Sequence, residues 1–127
     1  MSIAEGVRPA PLLYEVRESG VAILTFNRPE RMNSWGGPMI AEFYRHIDLA
    51  EADPRVRVIV ITGAGRAFCA GADMGGLDAI SEVTVDSANQ TDVSAMVAAR
   101  HPYFLTQLTK PVIAAINGAV AGMGLSQ

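Results

Sequence analysis

Only one cysteine, Cys69, occurs in the 127 residues, so no disulfide and no cysteine-built metal centre can form within the chain. The two histidines, His46 and His101, are not spaced with carboxylates as metal ligands are. Both read as surface or internally satisfied groups, and no metal is expected. Basic runs are missing and the formal net charge is −3, which removes nucleic acid from the expected partners. The longest low-charge run, Val112–Leu125, is too short to cross a membrane and is broken by Asn117 and glycines, so no membrane span is expected. The first residues, MSIAEGVRPAP, lack the apolar stretch of a signal peptide, and a cytoplasmic protein is the default expectation. No Gly-Lys-Ser/Thr occurs, so there is no Walker loop. Gly63-x-Gly65 follows a strand-like run, but Phe68 stands where a dinucleotide fingerprint needs its third glycine.

What remains is ordinary globular material. Half of the residues are hydrophobic and 18% are charged, enough for one domain with one core. Residues 1–11 are polar and Pro-containing and are expected to be disordered, with the domain covering 12–127. Leu12–Glu18 and Val21–Phe26 are β-type runs around Ser19-Gly20, a hairpin pattern. Asn27-Arg28-Pro29 breaks the second run. Pro38 opens a helix whose Ile40, Phe43, Tyr44 and Ile47 share a face, and Asp53-Pro54 closes it. Val58–Thr62 and Val112–Ile116 are short apolar runs of the kind buried in a sheet. Gly63 to Asp73 reads as a turn-rich loop, 74–81 as a short helix capped by Asp73, and 82–91 as a mobile loop. A further helix is predicted over 92–108, divided by Pro102. The expected order is β-β-α-β-α-α-β.

Two segments carry the chemistry. GAGRAFCAGADM (63–74) and KPVIAAINGAVAGMGL (110–125) each bring an apolar strand into a glycine-rich turn. Such turns present backbone N–H groups to a ligand. Two of them point to two donors aimed at one oxygen, as acyl transfer or enolate formation requires. The two strand-turn units also look like a repeat with a period of about fifty residues. Close strand–helix packing is the alternative use of either turn. Cys69 has no histidine placed to activate it, so a nucleophile role is not expected.

FNRPERMNSW, GAGRAFCAGADM and KPVIAAINGAVAGMG, in this order and spacing, resemble the crotonase family of enoyl-CoA hydratases and isomerases. The resemblance covers nearly all of residues 12–125. It implies an α/β fold, a spiral of ββα units, here stopping before the helical C-terminal part. It implies an acyl-CoA thioester as substrate, with coenzyme A entering as part of that substrate and no separate cofactor. It also implies a homo-oligomer, trimeric or hexameric in the full-length family. By the motif match, the oxyanion hole is made by the N–H groups of Ala72 and Met123. A fixed backbone donor of this kind lowers a barrier by roughly 3–4 kcal/mol. The family usually has glycine where this chain has Met123. The substrate-binding positions implied are Arg31, Met32, Ser34, Arg66, Ala70, Asp73 and Met74, with Arg31 and Arg66 as phosphate partners or as plain surface arginines.

The resemblance departs at the acid–base pair. The first hydratase glutamate falls on Ser126, whose hydroxyl is a poor base at neutral pH. The second would lie beyond Gln127, and family members are roughly twice this long. Asp73 and Asp78 read as a helix cap and a surface charge. Three readings stay open: an acyl-CoA enzyme or the N-terminal portion of one, a CoA-binding or subunit-interaction module lacking the glutamates, and a fragment that folds only with a partner copy or with the missing half.

Overall fold

The computed structural model describes residues 9–71 and 104–122. The order of regular elements is β1 (Leu12–Val16), β2 (Val21–Phe26), α1 (Gly37–Ala52), β3 (Val58–Gly63), β4 (Ala67–Cys69), β5 (Val112–Ala114) and β6 (Ala119–Val120), with short 3-10 turns at Pro29–Arg31 and Phe104–Gln107. The expected helix at 74–81, the loop at 82–91 and most of the helix at 92–108 lie outside the described residues.

The hairpin forms as the sequence predicts. Strands β1 and β2 pair antiparallel, with Val16 opposite Ala22 and Leu12 opposite Phe26. The connecting loop is longer than the Ser19-Gly20 pair: the Arg17 N–H donates to the Val21 carbonyl, and the Gly20 N–H donates to the Arg17 carbonyl. Upstream, Asn27 ties the carbonyls of Ala10 and Pro11 to the end of β2.

Helix α1 starts where Pro38 sets the first turn and stops at Asp53. Its buried face is Met39, Phe43, Tyr44, His46, Ile47 and Ala50, while Ile40 is only half-buried. His46 is satisfied internally, its Nδ1 2.7 Å from the Glu42 carbonyl oxygen. Aromatics are few but concentrated. The four phenylalanines, Trp35 and Tyr44 form one network of mostly edge-to-face pairs, with Phe26 and Phe43 at its centre. Such pairs add to what area burial alone gives.

The sheet is β1-β2-β3-β5, and the last two pairings are parallel. Two expectations about burial are corrected. Strand β3 is not covered on both faces: Ile59 and Ile61 are buried, whereas Val58, Val60 and Thr62 are half-buried. Strand β5 is not a buried strand. It ends the sheet and pairs only with β3 among the described residues, and Ile113 on it and Ile116 just after it are more than half exposed. Apolar runs report that a strand can be covered, not that the cover lies within the same described residues.

A third correction concerns the loop after β3. It contains β4, a fully buried strand that pairs parallel with β6 in a second, two-stranded sheet. The repeat seen in the sequence is therefore real in space. Ile59 faces Val112 in one sheet and Ala67 faces Ala119 in the other. Each unit is a strand, a glycine turn and a second strand, and the units pair strand to strand, with an irregularity in register between Ala67 and Cys69.

The C-terminal end of α1 anchors the approach to β5. Lys110 Nζ donates to the carbonyls of Ala50 and Asp53, both at 2.6 Å, where a cation also offsets the helix dipole. Glu51 accepts from the backbone and hydroxyl of Thr109. The Arg55 guanidinium and backbone hold the Asp53 carboxyl down at about 2, and the Thr109 bonds hold Glu51 below the ordinary glutamate range. Both carboxyls titrate lower folded than unfolded. Their contribution is therefore complete above the unfolded carboxylate range and is lost as pH falls from about 4 towards 2. Acid titration followed by circular dichroism should show destabilisation in that window, and Thr109→Val should shrink it.

Candidate functional site

Strand β2 ends at Phe26, and Asn27-Arg28-Pro29 turns the chain into a 3-10 turn. Met32 and Asn33 follow at φ 54° and 53°, left-handed values that non-glycine residues seldom adopt. The strain has a use. It places the fully buried Asn33 side chain so that both amide hydrogens and the carbonyl oxygen are bonded. Its Oδ1 accepts from the Arg28 N–H at 2.8 Å, and its Nδ2 donates to the carbonyls of Ala64 and Ala67 at 3.0 and 2.9 Å.

The same segment runs beside the first glycine turn. The Ala70 N–H donates to the Met32 carbonyl at 3.0 Å, and the Trp35 N–H donates to Gly71 at 2.6 Å. Arg66 Nε lies 3.2 Å from Met32 Sδ. The structure thus brings Arg66 and Ala70 to Met32, with Arg31 next to Met32 in the chain. Arg31, Arg66 and Ala70 are exposed there. Ser34 differs: it is buried, so of the predicted coenzyme contacts in this segment it is the one turned away from solvent.

The second glycine turn meets the first. The Ala121 N–H donates to the Cys69 carbonyl at 3.1 Å. Gly71 sits at φ +104° and Gly122 at φ +53°, and a Cβ on Gly122 would lie 3.8 Å from the Gly71 Cα. Glycine is needed at both places by backbone conformation. A Cβ at Gly71 would also come within 3.1 Å of the Ala121 carbonyl oxygen. These two glycines immediately precede Ala72 and Met123 in the sequence. Ala72, Met123, Asp73 and Met74 themselves lie outside the described residues, as do His101 and Ser126.

Cys69 is buried, and burial pushes its thiol up, away from the thiolate a nucleophile needs. No cluster of His, Cys, Asp and Glu able to hold a metal occurs among the described residues. Behind the turns lies a cleft of about 510 Å³. Phe26, Ile61, Phe68, Leu105, Leu108 and Val120 give it an apolar lining.

Two residues were not singled out by sequence reasoning as site-forming. One is Asn33, and the other is Asn117, which the sequence shows only as half of a turn dipeptide. The available signal was chemical: asparagine tolerates left-handed backbone and bonds neighbouring main chain.

Residues 16–126 match the family model for enoyl-CoA hydratase/isomerase. The chain belongs to that family. The family member 1,2-epoxyphenylacetyl-CoA isomerase of Escherichia coli K12 is 40% identical over 111 residues, covering 84% of this chain and 40% of that protein. The crystal structure of the enoyl-CoA hydratase EchA12_1 from Mycobacterium marinum shares 47% identity and a TM-score of 0.71, over 94% of this chain and 46% of that one. An enoyl-CoA hydratase/isomerase from Xanthobacter autotrophicus Py2 shares 30% identity and a TM-score of 0.73, over 91% and 42%. The fold is thus the crotonase fold, and the chain spans less than half the length of these relatives. The relatives' names divide between hydratase and isomerase, so family membership leaves the reaction type open.

Proposed function

We propose that this chain binds an acyl-CoA thioester and that the N–H groups of Ala72 and Met123 hold its carbonyl oxygen as an enolate develops. The observation that carries this reading is the contact between the two glycine turns. The Ala121–Cys69 bond and the packing of Gly122 on Gly71 bring together the points from which both donors depart. Two preorganised donors converging on one oxygen stabilise the negative charge of the transition state. Exposed Arg31 and Arg66 beside Ala70 suit the anionic coenzyme head, and the apolar cleft reaching Val120 suits an acyl chain. Coenzyme A arrives with the substrate, so no separate cofactor is needed.

A second reading, a CoA-binding module without turnover, is favoured by one observation. The family resemblance puts Ser126 at the position of a hydratase glutamate. Exposed Ile113 on the sheet-ending strand β5 and exposed Ile116 just after it support association with further chain, as in an oligomer. Among the described residues no helix is long and apolar enough to cross a membrane. The one cysteine, buried and unpaired, fits a reducing compartment such as the cytoplasm.

Calorimetric titration with coenzyme A and with crotonyl-CoA tests the reading. Saturable binding of both is expected, and its absence refutes coenzyme recognition. Arg66→Ala should weaken binding by about fivefold, the scale of one solvent-exposed charge contact.

A further inference from the structure

Asn117 repeats what Asn33 does, from the opposite side. Its Oδ1 accepts from the Gly63 N–H at 3.1 Å, and its Nδ2 donates to the carbonyls of Gly65 and Ala67 at 3.0 and 3.1 Å. The Ala67 carbonyl therefore receives two side-chain amides, one from each flanking motif. Of residues 63–67, all but Arg66 bond one asparagine or the other through their backbone. The space is equally restricted. A Cβ at Gly63 would lie 2.4 Å from the Ala67 carbonyl oxygen and 2.9 Å from Asn33 Nδ2, and one at Gly118 would lie 2.0 Å from the Arg66 carbonyl oxygen.

We propose that Asn33 and Asn117 are positioning residues that clamp the 63–67 turn from both sides and so fix the contact between the two glycine turns. The path is short and continuous. Asn33 ties the turn to the segment carrying Arg31 and Met32, and that segment bonds Ala70 and Gly71. Asn117 ties the turn to the chain entering β6, whose continuation bonds Cys69 through Ala121. Three segments far apart in sequence thereby share one carbonyl oxygen. What the turns hold rests on the acyl-CoA reading, but the clamp itself does not.

Amide hydrogen exchange on the intact chain tests the clamp. Asn117→Ala should speed exchange at Ala121 and Ala70 by about tenfold, although neither amide bonds residue 117. A change confined to Gly63 would overturn the proposal, because the asparagine would then be a local turn residue only. Asn117→Asp keeps the fold question separate. Its protonated carboxyl retains an acceptor for Gly63 and one O–H donor for a carbonyl, whereas its carboxylate can only repel both carbonyls. Protection at Ala121 in this variant should therefore come nearest the parent's in acid and fall further from it as the carboxyl ionises. A protection difference that does not follow that titration, or no difference at any pH, would contradict the clamp. Coenzyme A calorimetry on the parent chain separates the two claims. Absent binding refutes the acyl-CoA reading, while the exchange pattern still decides the clamp.

Discussion

Assayed as the 127-residue chain, the protein is expected to hydrate crotonyl-CoA at least about a hundredfold more slowly than a hydratase with both glutamates, because positioned acid–base groups supply roughly a hundred- to ten-thousandfold. Hydration needs a base to activate water and an acid to return the proton. Ser126 stands where the family resemblance puts the first of these, and a neutral hydroxyl does not take a proton from water at pH 7. The chain as assayed has no residue matching the second. Polarising the thioester does not make up the difference, since an oxyanion hole stabilises charge without moving a proton. Steady-state assay of the purified chain, run beside coenzyme A calorimetry, gives the answer. Binding without turnover is the expected outcome. Turnover in the ordinary enzymatic range would make Asp73 or Asp78 the base, or would show that copies complete one another's sites.

The second large effect is on stability. Gly118→Ala should cost about 3 kcal/mol or more, the upper range for forcing atoms into closed space. The added Cβ would lie 2.0 Å from the Arg66 carbonyl oxygen, 2.8 Å from its carbon and 3.3 Å from the Ala67 Cα. All three are backbone atoms of the crossing turn, so no side chain can swing aside. Relief requires β4 and β6 to separate, and that breaks the parallel pairing that joins the two motifs. Gly37→Ala is the control. Open space surrounds that position, and its φ of +38° leaves only conformational strain, about 1–2 kcal/mol. Denaturant midpoints at unchanged slope measure both. Equal costs at the two sites would mean that the turn crossing is looser than its geometry.

The parts of this fold that were legible in the sequence are those set by local chemistry. The β-type runs around Ser19-Gly20 marked β1 and β2, Pro38 and Asp53-Pro54 bounded α1, and the glycine patterns located both turns. Strand β4 was hidden because Ala67–Cys69 is three residues long, too short for a period, and exists only through pairing with β6. The exposure of β5 was equally invisible. Val112–Ile116 is as apolar as a buried strand, and burial depends on what is packed against it rather than on composition. At the site, motif order brought out Arg31, Met32, Arg66 and Ala70. It could not distinguish the buried Ser34 from its exposed neighbours. Nor could it show Asn33 and Asn117 sharing the Ala67 carbonyl, because that meeting joins residues distant in the chain.

The central claim is that the two glycine turns deliver two backbone donors to one thioester oxygen. Titration of the 15N-labelled chain with crotonyl-CoA, following the amide resonances of Ala72 and Met123, tests it most directly. Both resonances should move downfield together along one saturation curve, as two donors to one acceptor must. Movement of only one, two curves with different midpoints, or shifts confined to the Arg31 and Arg66 side would contradict a shared oxyanion hole.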